Sequence, residues 1–138
     1  MLEAITAMAS VIGDPYLLML IAVTTVLGIV IGVLPGLGAT TGAALLLPFT
    51  LTMSPVNAIA VLATLYVSAT FAGSITAILI NTPGTSAAAA TTFDGFPLAQ
   101  RGEAGRALGI AVVSSTIGGI FSIIVLCLAA PLLARVAY

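Results

Sequence analysis

Apolar residues gather into three long runs, and polar positions are confined to the gaps between them. The first run, Tyr16 to Leu34, is about 19 residues long and holds no charge. That is close to the roughly 20 residues a helix needs to cross a bilayer. The second run extends from Pro55 to Ile80 and the third from about Ala107 to Leu133. A shorter apolar stretch, Ala39 to Leu47, reads as a short helix with Thr40 or Thr41 near its N-cap. Pro48 is expected to break it. The whole segment 39–54 is then either a re-entrant half-helix or a full span with a kink. The pattern predicts an all-α, polytopic helical membrane protein with broken or re-entrant helices, in one domain over residues 1–138.

The gaps have their own character. Met1 to Pro15 reads as an amphipathic or interfacial lead-in closed by the turn Gly13-Asp14-Pro15. Met1-Leu2-Glu3 lacks a basic n-region, so the first run is expected to be a retained transmembrane helix. Asn81 to about Gly105 reads as a loop with a turn at Asp94-Gly95. Arg101, Glu103 and Arg106 mark a water-facing edge there, and Arg135 closes the third run. Arg101 and Arg106 favour a cytoplasmic position for their loop.

Small and hydroxylated residues recur at helical spacing. Gly28, Gly32 and Gly36 give the first run a smooth face for close helix packing, and Ser114, Gly118 and Ser122 do the same for the third. In the second run Thr64, Ser68, Ala72 and Thr76 share a face, beside a stripe of Tyr66, Thr70 and Ser74. Most of these hydroxyls are expected to bond their own helix carbonyls. The Tyr66–Ser74 stripe is a candidate pathway wall.

Composition narrows the function. Of 138 residues, 61% are hydrophobic and 5% charged, and the mean hydropathy is +1.33. A soluble domain carries about a quarter charged residues, so lipid must be the solvent. There is no histidine, which removes a Ser-His pair. Without lysine a phosphate-binding loop of the usual kind is excluded, and three arginines cannot neutralise a nucleic acid. Asp14 and Asp94 sit in unrelated contexts, so an intramembrane aspartyl dyad is not expected. The single Cys127 lies in an apolar run and forms neither an internal disulfide nor a metal site. No catalytic residue, metal or cofactor is expected.

Two Pro-Gly loops interrupt the apolar pattern. One spans Gly32 to Gly42 and contains Pro35, Gly36, Gly38, Thr40 and Thr41. The other is Asn81-Thr82-Pro83-Gly84-Thr85-Ser86-Ala87. At membrane depth such breaks persist only when buried in protein or lining a watery cavity. N–H groups at a helix N-terminus, with the helix dipole, hold carboxylates without a cationic side chain. Glycine admits close approach, and Thr40, Thr41, Asn81, Thr85 and Ser86 add side-chain donors. The alternative is a pair of plain interhelical turns. Asp94 is a candidate cation or proton site, with turn or helix capping as its alternative.

Gly32-Val-Leu-Pro-Gly-Leu-Gly38, followed by Leu45-Leu-Leu-Pro48, resembles the first signature of the tripartite tricarboxylate transporter family's large membrane subunit. Tyr66 through Gly84 resembles its next block, and Thr91 to Leu108 continue it. The resemblance covers about Leu27 to Gly119. It implies a cation-coupled, binding-protein-dependent importer of tri- and dicarboxylates such as citrate, multi-pass in the bacterial inner membrane. The implied partners are a small membrane subunit and a periplasmic solute-binding protein, and the implied coupling ion is sodium or a proton. By resemblance the substrate-facing residues are Pro35, Gly36, Gly38, Asn81, Pro83, Gly84, Thr85 and Thr91. Phe71-Ala72-Gly73-Ser74 departs from the family's aromatic and two glycines, which bears on substrate choice. Members are several times longer, and this chain resembles their N-terminal portion. A missing C-terminal portion or self-association is therefore expected to complete it. The rival readings are a non-transporting scaffold or inactive fragment assembling through glycine faces, and a passive pore.

Overall fold

The computed structural model describes the backbone from Gly13 to Ala137 and side chains as far as Ala130. Residues 1–12 of the lead-in and the Arg135 side chain lie outside the described residues. Among the described residues five helices follow one another: α1 Pro15–Val33, α2 Ala39–Thr50, α3 Pro55–Ile80, α4 Thr91–Leu98 and α5 Ala104–Ala137. A single 3-10 turn, Ser86–Ala88, precedes α4, and a π-helical turn, Ala99–Glu103, joins α4 to α5. Gly102 makes the kink at φ 82°. Among the described residues three helical stretches are long and apolar enough to cross a membrane, while α2 is shorter.

Helix starts follow from local chemistry. Pro15 opens α1 where its missing N–H costs nothing, and the Asp14 carboxylate accepts the Tyr16 N–H at 2.9 Å. Pro55 and Ser54 open α3 in the same way, with Ser54 Oγ accepting the Asn57 N–H at 3.4 Å. The end of α3 is Asn81, in the left-handed conformation at φ 56°, its N–H bonded to the Thr76 carbonyl.

The core is the seam between α1 and α3. A Cβ on Gly28 would strike the Ser68 hydroxyl, and one on Gly32 would stand 2.7 Å from Ala69 Cα. Residue numbers rise together along both helices, so α1 and α3 run parallel. The chain must therefore return between them, and α2 does so. A Cβ on Gly42 would meet Ile31 at 3.1 Å and Leu65 at 3.3 Å. Twelve residues carry α2 only about 18 Å, from mid-α3 back to the level where α3 starts. Together α1, its loop and α2 form a helical hairpin.

A second hairpin enters from the other end of α3. The Thr82 N–H reaches the Thr76 carbonyl at 3.4 Å and the Gly84 N–H reaches Gly73 at 3.3 Å, so the chain doubles back along α3. Outward travel resumes in α4, where a Cβ on Gly95 would lie 2.7 Å from Ile78. Last comes α5, which lines common cavities with Ser74 and Ile78 of α3.

Several sequence expectations change here. The stretch 81–105 is largely helical rather than a loop. Asp94-Gly95 forms no turn, because tight packing of Gly95 on Ile78 outweighs the turn preference of the pair. Pro48 lies inside α2 rather than ending it, since a proline this close to a C-terminus removes a single hydrogen bond. The N-cap of α2 is Gly38, with no side-chain bond; Thr40 and Thr41 lie near it in the first turn, as expected. Gly36 forms the turn at φ 92° with nothing near it, so the packing face ends at Gly32. The Ser114–Gly118–Ser122 face meets no neighbour among the described residues at Gly118. The hydroxyls of α3 behave as expected: Ser68 donates to Thr64 at 2.6 Å, Thr70 to Tyr66 at 2.7 Å and Thr76 to Gly73 at 3.1 Å.

Candidate functional site at the meeting of two loops

The tips of the two hairpins touch. A Cβ on Gly38 would stand 3.8 Å from the Gly84 carbonyl oxygen. Between the tips lies a cavity of about 240 Å³. The first loop and α2 contribute Gly36, Gly38, Ala39 and Thr40; the second contributes Gly84, Thr85, Ser86 and Ala87. Tyr66 and Thr70 of α3 complete the wall. They lie about 17 and 23 Å along a helix of about 39 Å. In a bilayer spanned by α3 the cavity is thus near the midplane.

The first loop presents donors. The opening N–H groups of α2 have no intrahelical acceptors, and no side chain caps them. They lie beside Thr40 at the positive end of a 12-residue helix dipole. The second loop is held by steric fit. A Cβ on Gly84 would collide with the Gly32 carbonyl oxygen and come within 2.9 Å of Gly73 Cα. Thr85 presses on Gly73, whose own Cβ would lie 2.9 Å from the Thr85 backbone nitrogen. The Thr85 hydroxyl oxygen is buried and has no hydrogen-bond partner, an arrangement that costs about 1–3 kcal/mol unless a ligand relieves it.

The remaining predicted positions are spread around this centre. Pro35 and Thr41 are exposed and outside the cavity lining. Asn81 and Pro83 are exposed at the end of α3, and the Asn81 backbone serves as the C-cap. Thr91 and Asp94 line a neighbouring cavity of about 330 Å³ between α3, α4 and α5. Ser86–Ala88 is a single turn, so the second loop brings no long helix dipole to the site, contrary to the pair of helix N-termini expected. The helix that follows, α4, begins only at Thr91.

The cavities share wall residues. A third, of about 430 Å³, shares Ser74, Thr91 and Ser115 with the α4 cavity and Tyr66, Thr70 and Ala87 with the loop-tip cavity. Sequence reasoning found the Tyr66–Ser74 stripe by its spacing but missed Ser115, which has no local signature. A fourth cavity, between α1 and α3, is nearly all apolar, and its Thr25 and Ser68 hydroxyls already bond their own helices. Among the described residues no cluster of three ligating side chains forms a metal site.

The profile of the tripartite tricarboxylate transporter TctA family matches residues 18–138. The chain belongs to this family. A relative from Agrobacterium vitis, described as an uncharacterized 52.8 kDa protein in the TAR-I ttuC' 3' region, is 47% identical over 115 residues. The match covers 83% of this chain and 23% of that protein, so the chain spans about a quarter of its relative's length. No solved structure matches it. The family is one of membrane transporters, and the apolar helices and interrupted hairpins agree with that class.

Proposed function

We propose that this chain forms part of the large membrane subunit of a cation-coupled, binding-protein-dependent importer of tri- or dicarboxylates, citrate among them. The reading places the subunit in the bacterial inner membrane, with a small membrane subunit and a periplasmic solute-binding protein as partners. One observation carries it: an uncapped helix N-terminus opens on a cavity between two hairpin tips, and Thr85 in the wall of that cavity holds a buried, unpartnered hydroxyl against Gly73. A substrate carboxylate accepts from the α2 N–H groups and Thr40, and a second accepts from Thr85 and Ser86. No cationic side chain lines the cavity, so the negative charge of the substrate is balanced by a co-transported sodium ion or proton. Three quarters of a family-length subunit supply the remaining walls, which a site at membrane depth requires. The scaffold alternative loses support because Gly28 and Gly32 are consumed inside the chain.

The test is uptake of labelled citrate and dicarboxylates by cells lacking their own carrier. The chain is expressed alone, and then as part of a family-length subunit with the small subunit and the receptor. Saturable uptake in the complete set alone is expected; its absence for every carboxylate refutes the proposal. Thr85→Val offers a sharper readout. Removing an unsatisfied hydroxyl leaves the ligand-free fold unchanged or up to about 1 kcal/mol more stable. Carboxylate affinity is expected to fall about tenfold or more, since a hydrogen bond to a charged group is lost. Thermal unfolding and uptake KM read the two effects separately.

A further inference from the structure

Three residues belong to two cavities at once. Tyr66, Thr70 and Ala87 line both the loop-tip cavity of about 240 Å³ and the cavity of about 430 Å³ beside it. Tyr66 and Thr70 stand one turn apart on the same face of α3, and Ala87 lies in the turn of the second loop. These three side chains therefore make the partition between the two spaces. Their shares are unequal. Ala87 offers only a methyl group. The Thr70 hydroxyl donates to the Tyr66 carbonyl at 2.7 Å, which holds a short side chain against its own helix. Most of the bulk of the partition is the Tyr66 ring, and among the described residues no hydrogen bond engages its hydroxyl.

The two spaces differ in kind. On the loop-tip side stand the opening turn of α2 with Thr40, and Thr85 and Ser86 of the second loop. On the far side Val67, Phe71 and Ala88 add apolar wall, which suits a methylene chain and not a further carboxylate. A substrate held by its carboxylates at the loop tips, and too long for that cavity, would have to extend past Tyr66 into this neighbour. We infer that Tyr66 is the length filter of the loop-tip site: its ring closes the smaller cavity toward the larger one and restricts the site to short di- and tricarboxylates. The inference rests on the carboxylate reading of the loop tips. The ring is sufficient for this role and the phenol hydroxyl is not needed.

Uptake also passes through the selectivity of a solute-binding protein, so binding is measured without one. A family-length subunit carrying this chain is placed in detergent micelles with its small subunit. It is titrated with succinate and, separately, with adipate, which is two methylenes longer, while thermal unfolding is followed. A carboxylate bound only by the folded state raises the unfolding midpoint. In the parent, adipate is expected to need at least about tenfold more than succinate for the same rise, the scale on which a closed pocket discriminates by methylene groups. Tyr66→Ala brings the ratio below about threefold, by admitting adipate and not by losing succinate. Tyr66→Phe keeps the parent ratio, because the ring remains. An equal response to both acids in the parent, or the parent ratio retained in Tyr66→Ala, overturns the filter and leaves the loop-tip reading standing. A ratio lost in Tyr66→Phe assigns the discrimination to the hydroxyl and also overturns it. Tyr66 is 55% exposed, so the alanine variant is expected to fold; where it does not, the parent ratio retained in Tyr66→Leu overturns the filter instead. No response of the parent to succinate, adipate or citrate refutes the loop-tip reading and the filter with it.

Discussion

Gly84→Ala in a family-length subunit is expected to reduce carboxylate uptake at least about 100-fold while the protein still inserts in the membrane. The reason is the surroundings of Gly84. An added methyl group runs into the Gly32 carbonyl oxygen and approaches Gly73 Cα to 2.9 Å and Thr76 Oγ1 to 3.3 Å. The first two are backbone atoms of α1 and α3, the two helices of the core, and neither yields. The second loop must retreat instead, taking Thr85 away from Gly73 and opening the cavity. A displacement of about 1 Å in a binding element costs on the order of 100-fold in rate. Two controls separate this effect from general damage to the loops. Gly38→Ala places its methyl group 3.8 Å from the Gly84 oxygen, an ordinary contact, and is expected to retain most of the uptake. Gly36→Ala meets no atom but forces alanine to φ 92°, a strain of about 1–2 kcal/mol, and is expected to give an intermediate loss. Wild-type uptake by Gly84→Ala in the complete transporter would show that close apposition of the loop tips is not needed for transport.

The sequence carried the long helices well, because hydropathy in lipid is a strong and local signal. Pro55 even marked the first residue of α3, and α1 begins at Pro15, one residue before the apolar run read from Tyr16. The loop-tip positions were legible for a similar reason: adjacent proline and glycine break a helix, and such a break at membrane depth needs protein or water around it. What was not legible depended on distant partners. Asp94-Gly95 reads as a turn until Ile78 is packed against Gly95. Gly118 reads as a packing residue, yet nothing described approaches it, whereas Gly32 with the same spacing lies against backbone. The place of Ser115 in the cavity walls emerges only when α5 is laid beside α3 and α4. A repeat of small residues therefore states that close packing is permitted, and only the fold states where it is used.

That contrast predicts a graded response in stability. In lipid the hydrophobic effect does not hold helices together, and close packing with interhelical hydrogen bonds must do so. Gly32→Ala drives a methyl group into the Ala69 backbone, with Ala69 Cα only 2.7 Å away. The parallel pair α1 and α3 must separate, and overpacking of this kind costs about 1–3 kcal/mol. Gly28→Ala is expected to cost less, because the nearest obstacle is the Ser68 hydroxyl, which can rotate, although the Leu65 carbonyl at 3.0 Å limits the relief. Gly118→Ala meets nothing and is expected to be neutral or to stabilise α5 by up to about 1 kcal/mol through helix propensity. Thermal unfolding of the three variants in the same micelle should therefore rank Gly32 below Gly28 and Gly28 below Gly118. Equal losses at all three would mean that glycine is needed for insertion rather than for the α1–α3 seam. The Gly32 variant should also impair carboxylate binding, because α1 carries the first loop and the Gly32 carbonyl backs Gly84. Stability of the seam and geometry of the loop tips are in this way one structural property.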